Sequence, residues 1–248
     1  MTRTSLRRSE AAEIDRQATG RFGIPSLLLM ECAGLAVARV AIMEATVQQA
    51  VSFVVFAGPG NNGADGLAAA RHLSNRTGGR VDAVLCGSAE QLANAGPEAR
   101  LQRDMASRLG IGLRIVAGES DVAAASRLIE SKPVIVIDAV YGIGLRRPLQ
   151  GLDSSIVRAI NAASASAVVA VDTPSGLDCD TGVPLGDAVR ASVTVTFGLP
   201  KAGLLAPGAR EFVGRLAVAE IGFPRELLGI PPGAAQPELA WIDAGCAE

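Results

Sequence analysis

Three polar loops hold the side chains that could perform chemistry in this chain of 248 residues. Each loop contains an aspartate, and the three are Asp65, Asp138 and Asp172. The sole histidine, His72, has no serine or cysteine in a recognisable nucleophile pair with it. Carboxylates are therefore the candidate proton donors and acceptors, and proton transfer is the chemistry to expect.

The first of these loops, GPGNNGADG at residues 58–66, lies between a predicted strand at 51–56 and a predicted helix at 67–73. A glycine loop leading into a helix N-terminus suits a phosphate, because free backbone N–H groups face it there. Its glycines have the spacing of a dinucleotide-binding fingerprint, in which an acidic residue about 20 positions later binds the ribose, and only Asp82 lies near that position. The loop also lacks the lysine of a P-loop. The pattern alone fits a nucleotide or phosphate site and also an ordinary turn capped by Asn and Asp.

Oxygen-bearing side chains in the same three loops also suggest a cation site. Asn62, Asp138 and Ser175 offer amide, carboxylate and hydroxyl oxygens, which are hard ligands. They suit an alkali or alkaline-earth ion rather than zinc, and their spacing does not choose between Mg²⁺, Ca²⁺ and a monovalent ion. Lys201 follows another predicted strand at this sheet edge, and we expect it to be a solvated loop lysine.

An alternation of strands and helices must position these loops. Apolar runs bounded by turn residues predict seven strands, at 51–56, 80–87, 113–117, 133–141, 167–171, 192–197 and 212–221. Helices are predicted at 5–20, 25–40, 67–73, 89–109, 120–131 and 152–163. We expect a single α/β domain at residues 1–223, with a doubly wound, mostly parallel sheet, and a Pro-, Gly- and Ala-rich tail at 224–248. Ligands bind beyond the carboxyl ends of such strands, which is where the three loops fall.

Composition narrows the class of protein. The formal net charge of −2 gives no basic footprint for nucleic acid, so we expect no nucleic-acid partner. The core is aliphatic, with 49% hydrophobic and only 3% aromatic residues, as suits a sheet covered by helices. We identify no apolar run near the roughly 20 residues that span a bilayer and no secretory signal, and therefore expect no membrane association and a cytoplasmic location. The four cysteines have no zinc or disulfide spacing.

Five ordered motifs carry a family resemblance. They are GIPSLLLMECAG (23–34), GPGNNGADGLAAARHL (58–73), DAVYGIGLRRPL (138–149), VDTPSGLDCDTG (171–182) and TVTFGLPKAGLL (194–205). The chain resembles the YjeF N-terminal domain family, the NAD(P)H-hydrate epimerases, from about residue 5 to residue 221. The resemblance implies a Rossmann-like fold with extra N-terminal helices, and commonly a homodimer.

The resemblance also implies an activity. Members interconvert the R and S forms of NADHX and NADPHX, which are damaged cofactors with a hydroxyl at C6 of the reduced nicotinamide ring. A separate NAD(P)H-hydrate dehydratase would then repair the S form. A potassium ion, K⁺, would be held by Asn62, Asp138 and Ser175. The dinucleotide would contact Asn61, Asn62, Gly63, Ala64, Asp65, Gly142, Ile143, Gly144, Leu145, Arg146, Arg147, Pro148 and Asp172.

The chemistry of such a substrate suggests a mechanism. The ring nitrogen can expel the C6 hydroxyl as water, and a second water can add to the other face of the resulting iminium ion. One carboxylate can serve as the acid and then as the base. Asp172 is our first choice for this role and Asp65 the second.

Two positions depart from the family pattern. Ala64 stands where the loop usually has glycine, and Cys32 where the helix motif usually has asparagine. Alanine would cost on the order of 1 kcal/mol at a positive φ and almost nothing at a negative φ. These departures keep an alternative open, a non-catalytic nucleotide-binding or scaffold module on the same fold. A dehydrogenase is a further alternative, but no separate substrate domain supports it.

Overall fold

The computed structural model describes residues 4–130 and 133–242 and contains an eight-stranded sheet, in the order β3-β2-β1-β4-β5-β6-β7-β8. The strands are β1 Ser52–Ala57, β2 Arg80–Cys86, β3 Gly112–Val116, β4 Val134–Ala139, β5 Ala167–Val171, β6 Val193–Phe197, β7 Arg215–Ala219 and β8 Leu239–Ile242. Strands β1 to β7 pair in parallel, and β8 pairs antiparallel with β7. The predicted doubly wound, mostly parallel sheet is therefore confirmed, and its strand order reverses between β1 and β4.

Helices cover both faces of this sheet. They are α1 Arg8–Gly20, α2 Ser26–Gln48, α3 Asn61–Thr77, α4 Ala89–Ala93, α5 Pro97–Arg108, α6 Glu119–Glu130, α7 Leu152–Ala162, α8 Arg210–Val213 and α9 Arg225–Leu228. In β1, Phe53 and Val55 pack on the side of α2 and α3, whereas Val54 and Phe56 pack on the side of α6 and α7. Because alternate side chains of a strand point to opposite faces, a strand buried on both faces has to be apolar throughout.

The register of the central strands brings the three polar loops together. Phe56 of β1 lies opposite Asp138 of β4, and Asp138 lies opposite Ala170 of β5. Asp172 directly follows β5, and its N–H donates to the carbonyl of Val195 in β6 (2.8 Å). The carboxyl ends of β1, β4 and β5 therefore meet at one edge, beside the point where the strand order reverses.

Two helix boundaries differ from the sequence prediction. Helix α3 begins at Asn61 rather than near residue 67, so residues 61–66 of the glycine loop form the first turns of a helix whose N-cap is Gly60. The helix predicted at 89–109 is two helices, α4 and α5. Pro97 opens the second one, because a helix tolerates proline in its first turn and not in its interior.

The prediction of a strand at 212–221 is wrong in its first part. Residues 210–213 form the short helix α8, and Gly214 ends that helix with a φ of +60°. An added Cβ at Gly214 would also overlap the carbonyl oxygens of residues 191 and 192. A glycine is required at this turn, and β7 begins only at the next residue.

Residues 243–248 of the predicted tail lie outside the described part of the chain. Residues 224–242 include secondary structure, which corrects the prediction of a tail there. They contain α9 and β8, and β8 covers the edge of β7. The guanidinium of Arg215 lies 5.2 Å from the ring centroid of Trp241 and forms an ion pair with the buried Glu44 of α2. A strand of four residues among Pro, Gly and Ala is too short to give a periodic signal, and its partner strand defines it.

Helix α2 also corrects the expectation that no apolar run is long enough to span a bilayer. It has 23 residues and an 18-residue window with a mean hydropathy of 1.8. Half of that window is buried inside the protein, where Val37, Ala38 and Ala41 are fully inaccessible. Core helices and membrane helices both satisfy a test of length and hydropathy, so this result is weak evidence for a membrane span.

Gly66→Ala tests how closely α3 packs on the sheet. An added Cβ at residue 66 would overlap the Cβ of Ala139, so α3 or β4 has to shift. We expect the free energy of unfolding in urea to fall by about 1–3 kcal/mol. Gly20→Ala is the control, because no atom lies within 4 Å of the added Cβ at the end of α1. Equal stability of the two variants would contradict the close packing.

Candidate functional site

A cleft of about 500 Å³ opens at the carboxyl edge of the sheet. The loops after β1, β4 and β5 form its floor, and the N-terminal helices α1 and α2 form an apolar wall. That wall includes Ile14, Leu29 and Met30, together with Ile221 and Phe223 from the segment after β7. An apolar cleft with a few polar groups at a switch point is the usual form of a small-molecule site.

The loop after β1 is shaped by close backbone approaches. An added Cβ at Gly63 would overlap the carbonyl oxygen of Gly58, and one at Gly142 would lie 2.6 Å from Oδ1 of Asn62. The N-cap Gly60 provides no side-chain cap for α3. The backbone N–H groups at this helix N-terminus are therefore available to a ligand in the cleft, where Asn61 also lies.

Asp172 has an unusual backbone conformation. Its φ is +63°, a left-handed value that non-glycine residues rarely adopt. Its carboxylate forms an ion pair with Lys201 Nζ and accepts a hydrogen bond from Thr196 Oγ1 (3.1 Å). Strained residues that surrounding contacts hold in place are typical of functional sites, and Asp172 faces the cleft.

Lys201 is buried, and the expectation of a solvated loop lysine is wrong. Its residue exposure is 3%, and its ammonium donates to Thr196 Oγ1 (3.1 Å) and to the carbonyl of Phe197 (3.3 Å). The backbone of Leu6 pairs with the two neighbours of Lys201. Leu6 N–H donates to Pro200 O, and Ala202 N–H donates to Leu6 O, both at 2.8 Å. A buried lysine requires a partner, and Asp172 supplies it.

Two further carboxyl groups face the same cleft. Burial raises the pKa of Asp65 well above its usual value, and the negative charges of Asp172 and Asp15 raise it further, while Lys201 opposes the shift. Although Asp15 is exposed at the cleft, the surrounding protein and then Asp172 raise its pKa to about 6. The surroundings of Asp65 therefore favour its neutral form, whereas Asp172 is paired with an ammonium.

Behind the cleft, oxygen atoms gather around Asp138. Ser175 Oγ donates to Asp138 Oδ1 (2.6 Å), and Ser175 N–H donates to Oδ2 (2.8 Å). The carbonyl oxygen of Tyr141 lies 3.2 Å from Ser175 Oγ. Burial raises the pKa of Asp138 to about 6, and the hydrogen bonds from Ser175 and Val140 only partly offset this effect. In the described part of the chain, no lysine or arginine pairs with this carboxyl.

These groups fit a hard monovalent cation. Within residues 4–130 and 133–242, no three His, Cys, Asp or Glu side chains form a metal cluster, so a cation bound beside Asp138 would have one carboxylate and neutral oxygens as its ligands. Asn62 could contribute only its Oδ1, which lies beside Gly142, because its buried and unpartnered Nδ2 is a donor and cannot be a cation ligand. A single positive charge would compensate Asp138.

The structure separates the sequence-predicted residues into three groups. The residues that line the cleft are Asn61, Asn62, Asp65, Gly142, Ile143, Gly144, Leu145 and Asp172. The buried residues that lie outside its lining are Gly63, Ala64, Asp138 and Ser175. The residues that continue the second loop on the surface are Arg146, Arg147 and Pro148.

Sequence reasoning missed Asp15 and Tyr141, and it misjudged Lys201. Asp15 lies in the helix predicted at 5–20, and no local sequence signal showed that this helix lines the cleft. Tyr141 lay within the predicted fourth strand, which ends earlier, at Ala139. Of these three residues, only Lys201 had a sequence signal that could have placed it at the site, because it follows a predicted strand at the same edge of the sheet.

The two departures from the family pattern have different consequences. Ala64 lies in α3, its N–H donates to Gly60 O (3.1 Å), and it is not among the residues with positive φ. Alanine is therefore nearly free of cost here, and its methyl group packs with Met30 and Ala99. Cys32 is an exposed residue of α2, and partial burial followed by repulsion from Glu220 raises its thiol pKa.

Comparison with known proteins agrees with this architecture. Residues 26–203 match the family model described as YjeF-related protein N-terminus. The crystal structure of the yeast protein ynu0 (YNL200c) superposes with a TM-score of 0.80, at 22% identity, over 97% of this chain and 100% of that chain. That likeness supports the fold.

Curated relatives are of two lengths. The chain is 44% identical over 221 residues to the bifunctional NAD(P)H-hydrate repair enzyme Nnr of Thermofilum pendens, and it spans only 40% of that protein. It is 39% identical over 220 residues to the NAD(P)H-hydrate epimerase of Limosilactobacillus fermentum, which it covers to 98%. Because the family model matches more than half of the chain and the shorter relative is covered almost completely, this protein belongs to the family of YjeF-related protein N-terminal domains.

Proposed function

We propose that the protein is an NAD(P)H-hydrate epimerase, an isomerase that interconverts the R and S forms of NADHX and NADPHX. The observation that carries the proposal is one cleft that holds two aspartates in different surroundings, Asp65, whose pKa is raised by burial, and Asp172, which is paired with an ammonium. The names of the relatives, at both lengths, support the same substrate. The scaffold alternative loses its main support, because Ala64 sits without strain in a helix.

The cleft offers a complementary surface to each part of such a dinucleotide. The apolar wall from α1 and α2 suits a reduced nicotinamide ring, which is neutral. The N-terminus of α3 offers backbone donors to a phosphate. We propose that the loops 61–65 and 142–148 hold the dinucleotide between them.

Protonated Asp65 is suited to start the reaction. Its proton would pass to the C6 hydroxyl, the C–O bond would break, and water would leave. The electron pair of the ring nitrogen would then form the C=N bond of an iminium ion. A general acid must hold its proton at the working pH, and burial raises the pKa of Asp65 in the direction that this role requires.

The carboxylate of Asp172 is suited to complete the reaction. A water molecule would add to the other face of C6 and give up a proton to Asp172. A proton would return from Asp172 to Asp65, directly or through water, and so reset the site. This division of roles differs from a single carboxylate acting twice, and it follows from the different surroundings of the two groups.

Negative charge in the cleft would stabilise the cationic intermediate. Asp15 and Asp172 both lie where the nicotinamide ring is proposed to bind, and Lys201 is held behind Asp172 by Thr196 and Phe197. Carboxylates already held in place need no reorganisation when the positive charge appears. Lys201 would keep Asp172 in position rather than contact the reacting atoms.

Potassium is the proposed cofactor. Asn62, Asp138 and Ser175 would hold it, with the carbonyl of Tyr141 beside them. The ion would neutralise Asp138 and fix the loops after β1, β4 and β5 relative to one another. These loops carry Asp65 and Asp172, so the ion would act on the geometry of the site.

Further partners are also proposals. An NAD(P)H-hydrate dehydratase acting on the S form is the proposed partner in the pathway, since the bifunctional relatives join a second activity to a segment like this one. We also propose a homodimer and a cytoplasmic location.

A coupled assay tests the epimerase function. R-NADHX is supplied with an S-specific dehydratase and its nucleotide in potassium buffer, and recovery of NADH absorbance is followed. We expect the wild-type protein to accelerate recovery and Asp172→Asn to lower kcat by about 10²–10⁴-fold. Unaccelerated recovery with folded wild-type protein would remove the proposal.

This assay needs two controls. Asp104→Asn changes an exposed carboxylate on α5 and should leave the rate unchanged. Asp172→Asn leaves the buried Lys201 without its charge partner, so its folding must be checked by circular dichroism. The double variant Asp172→Asn/Lys201→Met removes both charges and separates loss of catalysis from loss of folding.

The pH dependence of kcat/KM tests the role of Asp65. Its pKa is raised, so the active, protonated form prevails at low pH and is lost as the pH rises through that pKa. We expect the rate to fall on the alkaline side, and the residual activity of Asp65→Asn to lack this decline. A decline of the same shape in Asp65→Asn would assign the titrating group elsewhere.

Thermal unfolding tests the cation site. We expect KCl at 100 times its dissociation constant to stabilise the wild-type protein by about 2.7 kcal/mol relative to choline chloride of the same ionic strength. Asp138→Asn should abolish this difference, whereas Asp104→Asn should retain it. A potassium effect that persists in Asp138→Asn would exclude Asp138 as a ligand.

A further inference from the structure

The N-terminal segment joins three separate loops of the cleft through a few polar contacts. Its backbone at Leu6 pairs with the residues flanking Lys201. Two residues later, Arg8 donates from its backbone N–H to Asp180 Oδ1 (2.6 Å) and from Nη2 to Asp178 Oδ2 (2.7 Å). Its Nη1 donates to the carbonyl oxygen of Leu145.

Arg8 is held differently from an ordinary surface arginine. Its side chain is 13% exposed and that of Asp178 is 18% exposed, whereas Arg16, on the same helix, is 71% exposed beside Glu13. A charge-assisted bond shielded from water is stronger and less screened than one at the surface. Arg8 therefore contributes a fixed link rather than a solvated charge.

We propose that Arg8 is a positioning residue that holds the loop 142–145 in the conformation that receives the dinucleotide. The loop is a tight turn, closed by a bond from Leu145 N–H to Gly142 O (3.2 Å). Leu145 and Ile143 line the cleft, and their loop follows β4, whereas Asp178 follows β5. Arg8 connects the two, and no other hydrogen bond described for this loop reaches α1.

This role predicts a defect in binding rather than in chemistry. Lys201 and Asp172 are held by Thr196, Phe197 and the backbone of Leu6, none of which involves the side chain of Arg8. Loss of the guanidinium frees the loop and leaves the ion pair in place. KM should therefore rise while kcat changes little. The ligand named here rests on the proposed function, whereas the link between Arg8 and the loop does not.

The test compares Arg8→Met with Arg16→Met. Methionine keeps most of the length of the side chain and removes the donors, and Arg16 provides a matched arginine on α1. Three quantities are measured on the full chain: amide hydrogen exchange of a peptide covering residues 142–149, the dissociation constant of NADPH by calorimetry, and KM and kcat for R-NADPHX in the coupled assay. NADPH is used because it lacks only the added water of the substrate.

For Arg8→Met we expect faster exchange in that peptide, an NADPH dissociation constant and a KM about tenfold higher, and kcat within about threefold of wild type. Arg8→Lys keeps the charge but not the forked donors, so its exchange rate, NADPH dissociation constant and KM should lie between those of wild type and Arg8→Met. All three quantities should be unchanged in Arg16→Met. Unchanged exchange, or faster exchange with unchanged NADPH affinity, overturns the proposal. If the wild-type protein binds NADPH but has no epimerase activity, the proposed function fails and the first two quantities still decide the role of Arg8.

Discussion

Removing a carboxylate and an ammonium from water costs several kcal/mol for each ion, and Asp172 and Lys201 offset that cost by lying against each other beneath the cleft. The pair joins the loop after β5 to the loop after β6. It also helps to hold Asp172 at a positive φ, which non-glycine residues adopt uncommonly. Thr196 Oγ1 and the carbonyl of Phe197 accept the other two hydrogen bonds of the ammonium. The position of the carboxylate in the cleft thus follows from the need to neutralise a buried lysine.

The same desolvation has the opposite effect on Asp65, which has no cation of its own. Its carboxyl is surrounded by protein and by two other carboxylates, so the neutral form is favoured. Two aspartates of one cleft thus lie in electrostatically different surroundings, one beside an ammonium and one beside other carboxylates. Because the pKa of Asp65 is raised in the folded protein, its ionisation at high pH lowers the free energy of unfolding. The proposed acid therefore costs the protein some stability at high pH.

Sequence patterns determined much of this architecture. β-Branched runs and turn residues located seven of the eight strands, and the strand that directly precedes Asp172 was predicted with its observed bounds. The rule that ligands bind at the carboxyl edge placed Asp65, Asp138 and Asp172 together. β8 and the two separate helices at 89–108 escaped prediction, because short elements draw their stability from neighbours rather than from periodicity.

The fold class, the polar loops and their common edge could be predicted from the sequence, since these follow from local periodicity and from the chirality of parallel connections. Three features could not be predicted and arise from packing in three dimensions: Lys201 is buried, Asp15 faces the cleft, and Arg8 links two loops more than 130 residues away in sequence. A side chain's exposure and charge state depend on what packs against it. Those partners come from distant parts of the chain, so no window of sequence contains them.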